Sequence, residues 1–309
     1  MRNKVVIGTR TSKLALYQTH KVKKELKKNF PDLDIGVLEV KTKGDILLDK
    51  PLDRNLDKGF FVKEIQELLL TNKIDIAVHS LKDLPVEQLD ELKISAILKR
   101  GNPKDVFLSR KNKKLSDFTE SDLIGTTSLR RKAQLLKLNP KLKINDVRGN
   151  VDTRIKKMIE GQYDGLVMAA AGVERLKLNK HITEYLEFEL FLNAPGQGAI
   201  AVEINSKNDE LDKIVSTINH EKTMICTKNE RNFMKKMGGG CNYPIGAHSY
   251  VNEGKLILEG IVLSLDGKKS IKHRVESSNL NEDLSIDLSK KFNEENVRDL
   301  INEIDNEIK

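Results

Sequence analysis

Apolar runs of strand length alternate with helix-period segments through the first two thirds of this 309-residue chain, and no other feature restricts its fold as tightly. Val5–Gly8 precedes an amphipathic stretch, Ser12–Asn29, in which Leu14, Leu16, Val22 and Leu26 fall near helical spacing. Ile35–Thr42 reads as a strand, Phe61–Leu70 as a helix, and Ile74–His79 and Leu92–Leu98 as strands. A polar break at Lys99–Pro103 marks a plausible domain boundary. The alternation then resumes with strand Leu123–Gly125, helix Ser128–Leu138, strand Ile144–Val147, helix Val151–Glu160 and strand Leu166–Ala169. Such a pattern predicts α/β domains with mainly parallel sheets.

Two segments echo each other. Val6–Ser12 and Leu123–Ser128 both run strand, Gly-Thr, hydroxyl residue, helix. Each places free backbone N–H groups and a hydroxyl cap at a helix start, which is either ordinary capping or a ready anion site. From about Asp209 the character changes. Helical stretches Asp209–Ile218 and Lys222–Met237 lead to Gly238-Gly239-Gly240-Cys241, and strand-like runs follow at Ala247–Val251, Leu256–Leu265 and Ile271–Val275. A polar helix, Asn296–Ile308, closes the chain. Loss of strict alternation predicts a smaller α+β domain.

Charge narrows the partners. The chain carries 54 basic against 46 acidic residues, a formal charge of +8, which favours acidic partners. Lysines number 41 and arginines only 13, with seven of the 13 between Arg100 and Arg175. Solvated charge can come from either residue, so arginines kept in a lysine-rich chain point to geometric work on carboxylates or phosphates. Aromatic residues are 5% and Trp is absent, without the aromatic-basic interleaving of single-strand binders. A small polyanion is therefore a better expected partner than nucleic acid. No apolar run is long enough to span a bilayer, and the first residues do not read as a signal peptide, so the expectation is a cytoplasmic protein without membrane contact. Two cysteines in no metal-ligand spacing predict neither a disulfide framework nor a metal site.

Three constellations carry chemistry. Three glycines before Cys241 cost backbone entropy and suggest an accessible thiol, against the alternative of a turn ending in a buried cysteine. Cys226, inside a helix-period stretch, reads as a small core residue. Val78–Pro85 (VHSLKDLP) follows a strand end, where ligand sites of open α/β sheets lie, and puts Lys82 beside Asp83. Such an aspartate suits proton transfer or stabilisation of a developing cation, although a surface pair reads equally well. Arg130 and Arg131 fall in the first turn of a helix, where the dipole disfavours cations, so an anion is expected to offset them. Arg10, Arg148, Arg154 and Arg175 also sit near element ends.

Laid side by side, these segments closely resemble the porphobilinogen deaminase (hydroxymethylbilane synthase) family. The resemblance rests on VHSLKDLP at Val78–Pro85, TTSLRRKAQL at Thr126–Leu135, VRGNVDTR at Val147–Arg154 and YDGLVMAAAGVERL at Tyr163–Leu176. APGQGAIAVE at Ala194–Glu203, GGGCNYPIGA at Gly238–Ala247, GTRTSKLALYQ at Gly8–Gln18 and KTKGD at Lys41–Asp45 extend it over nearly the whole chain. It implies two α/β domains like the lobes of type II periplasmic binding proteins plus a smaller α+β C-terminal domain. The divisions it implies are 1–99 with 199–216, 100–198, and 217–309. It further implies a monomeric transferase of tetrapyrrole biosynthesis that condenses porphobilinogen on a dipyrromethane cofactor joined by a thioether to Cys241. Asp83 matches the catalytic aspartate. Arg10, Arg130, Arg131, Arg148, Arg154 and Arg175 match carboxylate-binding positions. Ser12, Gln18, Lys82, Thr126, Thr127, Ser128 and Gln197 match other positions lining the site. Lys58 and Phe61 match a loop expected over it, which lacks the glycine pair that often precedes Lys-Gly in this family. Asn242-Tyr243 stands where Gln-Val is more usual. The rival readings are a non-catalytic small-anion receptor and a nucleic-acid-binding protein.

Overall fold

The computed structural model describes residues 3–42, 62–240 and 243–308. By its contacts the chain divides into two compact units, Met1–Gly101 with Gly198–Met224, and Asn102–Gln197 with Ile225–Lys309.

In the first unit β1 (Lys4–Arg10) pairs in parallel with β2 (Asp34–Val40) and β3 (Ile76–Ser80). β4 (Leu92–Ile97) lies at the far edge, and a later strand, β10 (Ile200–Asn205), fits between β3 and β4 antiparallel to both. Side chains alternate across the sheet. Ile76 and Val78 share a core with Val22 and Leu26 of helix Lys13–Asn29. Ala77 on the opposite face packs with Ile65 and Leu69 of helix Lys63–Leu70. The apolar stripe of each helix thus finds one face of the same strand.

The second unit repeats the order. β5 (Asp105–Ser109), β6 (Leu123–Gly125), β7 (Lys143–Asn145), β8 (Gly165–Ala169) and β9 (Glu184–Leu186) form a sheet ordered β7-β6-β8-β5-β9, against β2-β1-β3-β10-β4 in the first. β6 is parallel to β7 and β8, whereas β5 runs antiparallel to β8 and β9. In each sheet the strand order is second, first, third, reversed, fourth. The expectation of mainly parallel sheets holds for strand direction, since four of the five strands run together, but the single reversed strand makes half the ladders antiparallel.

The second unit also holds an antiparallel meander of β11 (Ile245–Asn252), β12 (Lys255–Leu263) and β13 (Ser270–Ser277). Helices Glu221–Lys236, Ser285–Glu294 and Val297–Ile308 accompany it, and Phe233, Leu258, Leu288 and Phe292 centre a core in which Cys226 is buried. The architecture is two mixed α/β sheets plus a small α+β portion. The β12–β13 hairpin tip meets helix Leu129–Leu138: a Cβ at Gly267 would lie 2.4 Å from the Ala133 carbonyl, and the backbone there has φ +73°, so only glycine fits.

Candidate active site

Asp83 owes its position to its neighbours. β3 ends in a single tight turn, Leu81–Asp83, whose flanking Leu81 and Leu84 are buried. The Leu81 N–H donates to Ala199 O (3.1 Å) on the approach to β10, and Leu84 N–H closes the turn on Leu81 O (3.2 Å). With both leucines inward, Asp83 is exposed and Lys82 half-buried. The strand end is pinned from both faces. On one, Gln18 of helix Lys13–Asn29 donates from Nε2 to Ser80 Oγ at 2.7 Å. On the other, His79 Nε2 lies 3.2 Å from Glu203 Oε2, and Gln66 Nε2 donates to Glu203 Oε1 at 2.9 Å. His79 and Glu203 are diagonal cross-strand neighbours, both buried, and their contact is not aligned as a hydrogen bond. Gln18, expected at the ligand, has its amide nitrogen engaged with Ser80 instead. Ser12 caps its helix, accepting from Ala15 N–H at 3.3 Å, and Arg10 is half-buried at the end of β1.

In the second unit the anion that offsets Arg130 and Arg131 is internal. Asp105, fully buried at the start of β5, accepts from Arg130 Nη1 at 2.8 Å and from Arg131 Nη2 and Nε at 2.7 and 3.1 Å. Burial alone would raise this carboxyl, but the two guanidiniums outweigh it and hold it far below the ordinary carboxylate range. Arg130 Nη1 also reaches Leu192 O at 2.5 Å and Arg131 Nη1 donates to Val167 O at 3.0 Å, while Arg130 Nε is buried without a hydrogen-bond partner among the described residues. Gln197 closes the cluster, donating from Nε2 to Asp105 Oδ1 (3.0 Å) and Pro103 O (2.8 Å). Ser128 caps the helix that carries both arginines, accepting from Arg131 N–H at 3.4 Å. Thr126 is buried and accepts from Ser128 N–H at 3.3 Å, while Thr127 is half-buried beside Val147 O.

Arg148 and Arg154 flank a turn that requires glycine. Gly149 has φ +112°, and a Cβ there would come within 2.8 Å of Thr153 Cγ2. Arg154 Nε donates to Gly149 O at 2.7 Å, and both arginines are half-buried residues. Arg175, also half-buried, ends helix Ala170–Arg175. Cys241, Lys58 and Phe61 lie outside the described residues. Among the described residues no group of three or more His, Cys, Asp or Glu could hold a metal ion, and no helix is long and apolar enough to cross a membrane.

Sequence reasoning missed Asp105, Glu203, Gln66 and Ser80. Asp105 closely follows the polar break at Lys99–Pro103, and Glu203 interrupts the apolar run Ile200–Ile204. A lone carboxylate inside or at the edge of a strand-like apolar run is the signal that was available, because such a group must find partners.

Two family models match in chain order. Residues 5–213 match "Porphobilinogen deaminase, dipyromethane cofactor binding domain" and residues 224–295 match "Porphobilinogen deaminase, C-terminal domain", the latter ending just before helix Val297–Ile308. A porphobilinogen deaminase of Syntrophomonas wolfei is 47% identical over 87% of this chain and 88% of its own length. Those of Chloroherpeton thalassium and Thermus thermophilus are each 42% identical, over 91% and 97% of this chain and 89% and 99% of their own. With two domain models covering most of its length and relatives matched nearly end to end, the chain belongs to the porphobilinogen deaminase family.

Proposed function

We infer that this chain is a hydroxymethylbilane synthase that joins porphobilinogen units head to tail, with release of ammonia, to give the linear tetrapyrrole hydroxymethylbilane. The observation that carries the reading is the match of both family models, in order, over residues 5–213 and 224–295. The dipyrromethane cofactor bears acetate and propionate groups, and the donor set of the second unit suits them. Half-buried Arg148 and Arg154 flank the Gly149 turn, and the hydroxyls of Thr127 and Ser128 stand at the start of a ten-residue helix. Cys241 is assigned as its attachment point. When bound, the cofactor supplies the pyrrole carbon to which an incoming ring is joined.

The chain's own residues do the remaining work. Asp83 accepts a hydrogen bond from the substrate pyrrole N–H and faces the positive charge that develops as the C–N bond to ammonia breaks. Its carboxylate then takes the proton released from the substituted ring carbon. The fixed turn between Leu81 and Leu84 holds it ready for each addition. Arg10, Arg148, Arg154 and Arg175 hold substrate and cofactor carboxylates, helped by Lys82 and Ser12. Arg130 and Arg131 are committed to Asp105 together with Gln197. Gln18 acts through Ser80, and Thr126 through Ser128. The proposed domains are 1–99 with 199–216, 100–198, and 217–309, in a cytoplasmic monomer.

Intact mass tests this directly. The purified chain is expected to carry an adduct of dipyrromethane mass that Cys241→Ser lacks, and to release a linear tetrapyrrole from porphobilinogen. An adduct-free chain inert toward porphobilinogen would overturn the assignment.

A further inference from the structure

The segment expected to carry the cofactor has little to fix it on its N-terminal side. Helix Glu221–Lys236 ends in Met237 and three glycines. The Gly239 N–H bonds back to Met234 O at 3.2 Å, and Gly238 takes φ +67°. Among the described residues, chain neighbours apart, no atom lies within 4 Å of where a Cβ would stand at Gly238 or Gly240. Gly239 is the opposite case: a Cβ would fall 2.3 Å from Ile245 Cδ1 and 3.4 Å from Tyr243 Cβ. The glycines therefore contribute no side-chain anchors, and the tight one leans on residues that follow Cys241.

The first described side chain after Cys241 is Tyr243, and it is tied down firmly. Its N–H bonds to Gly240 O at 3.1 Å, and its carbonyl accepts from Ile245 N–H at 2.8 Å where β11 begins. Its ring packs against the core of the small α+β portion. Its hydroxyl donates to Asp305 Oδ1, 62 residues away on helix Val297–Ile308. That bond is the leading reason the Tyr243 hydroxyl is pushed up to about 12. The helix is itself fixed by buried Val297, Leu300 and Ile304, and it is the element left outside the family match. The hydroxyl and carboxylate make a contact that an aliphatic side chain at position 243 could not.

We propose that Tyr243 and Asp305 form a brace that positions the cofactor-bearing segment, making the last helix part of the catalytic apparatus. Neither residue needs to touch the substrate; Tyr243 is a positioning residue acting through its neighbour Cys241. The proposal rests on the reading above that Cys241 carries the dipyrromethane. The brace gives the reacting ring carbon a defined place despite three glycines on one side, and small misplacement of a reacting atom is costly in rate.

The test uses the full chain, with kcat and KM expressed per cofactor-loaded molecule as counted by intact mass. Tyr243→Phe and Asp305→Ala are each expected to lower kcat about tenfold while KM stays within about twofold. The double variant should be no slower than either single one. Asp305→Asn, whose amide oxygen still accepts a hydrogen bond, should recover most of the rate per loaded molecule. A kcat per loaded molecule unchanged in both Tyr243→Phe and Asp305→Ala overturns the brace, as does equal loss in Asp305→Asn and Asp305→Ala. Should Asp305→Ala fail to fold, Tyr243→Phe, which removes one oxygen, decides alone. A parent lacking both adduct and turnover sinks the functional reading and the brace with it; a loaded, active parent with unaffected variants sinks the brace alone.

Discussion

The two five-stranded sheets share one strand order but neutralise their buried charge in opposite ways. In each, the reversed strand carries a fully buried carboxylate: Glu203 on β10 and Asp105 on β5. Glu203 meets a histidine ring and an amide, whereas Asp105 meets two guanidiniums in several short hydrogen bonds. Charge-assisted bonds of the second kind are about twice as strong as neutral ones. The second sheet therefore concentrates cations around an internal anion and keeps further arginines at its element ends. The first sheet keeps its buried pair modest and leaves Asp83, just past the end of β3, exposed. The same scaffold thus surrounds its buried carboxylate with guanidiniums in one unit and with a ring and an amide in the other.

That contrast predicts a separation of activity from stability. The largest effect is expected at the exposed carboxylate: Asp83→Asn should slow turnover by about 10²-fold or more while leaving the thermal midpoint and cofactor loading unchanged. Stopped or continuous product assays with a melting curve check this, and parent-like turnover would break the contrast. Next comes Asp105→Ala, which strands two buried guanidiniums and should cost about 3–5 kcal/mol in denaturant unfolding. Cofactor loading should fall with it. Arg131→Lys keeps the charge but loses the fork that binds Asp105, and about 1–2 kcal/mol is expected in the same measurement. Glu203→Gln is milder, about 1 kcal/mol, because an amide oxygen can still accept from Gln66 and the misaligned His79 contact contributes little.

The smallest effect is in pH dependence. The folded-state pKa of Asp105 is depressed, so its contribution is fully present above the ordinary carboxylate pKa and is lost as pH falls toward the folded value. Stability should therefore be insensitive to this group near neutrality and decline in acid, with a shallower acid limb in Asp105→Asn. An equally steep limb in the variant would show that other groups dominate.

Much of this was legible in sequence because local periodicity reports helices and parallel strands. Helix Ser128–Leu138 was read nearly residue for residue, since its cap and apolar spacing are local signals. β5 and β10 were not read as strands at all. Each is defined by pairing with strands far away in sequence, and each holds a carboxylate that spoils the apolar pattern. The counter-ion of Arg130 and Arg131 escaped for the same reason: the dipole argument correctly demanded an anion, but nothing local said that it was Asp105, 25 residues back. The Tyr243–Asp305 contact spans 62 residues and left no trace in either segment.

The reversed strands differ in one further respect, which concerns how the chain leaves the ribosome. The second sheet is drawn from the single stretch between Asp105 and Leu186. The first sheet is not: Ile200 of β10 pairs with Ser80, across the entire second sheet in sequence. During synthesis the second sheet can close on itself while the first still lacks an inner strand, with the facing edges of β3 and β4 unpaired. The sheet that presents Asp83 is thus completed only after the arginine-bearing sheet has emerged.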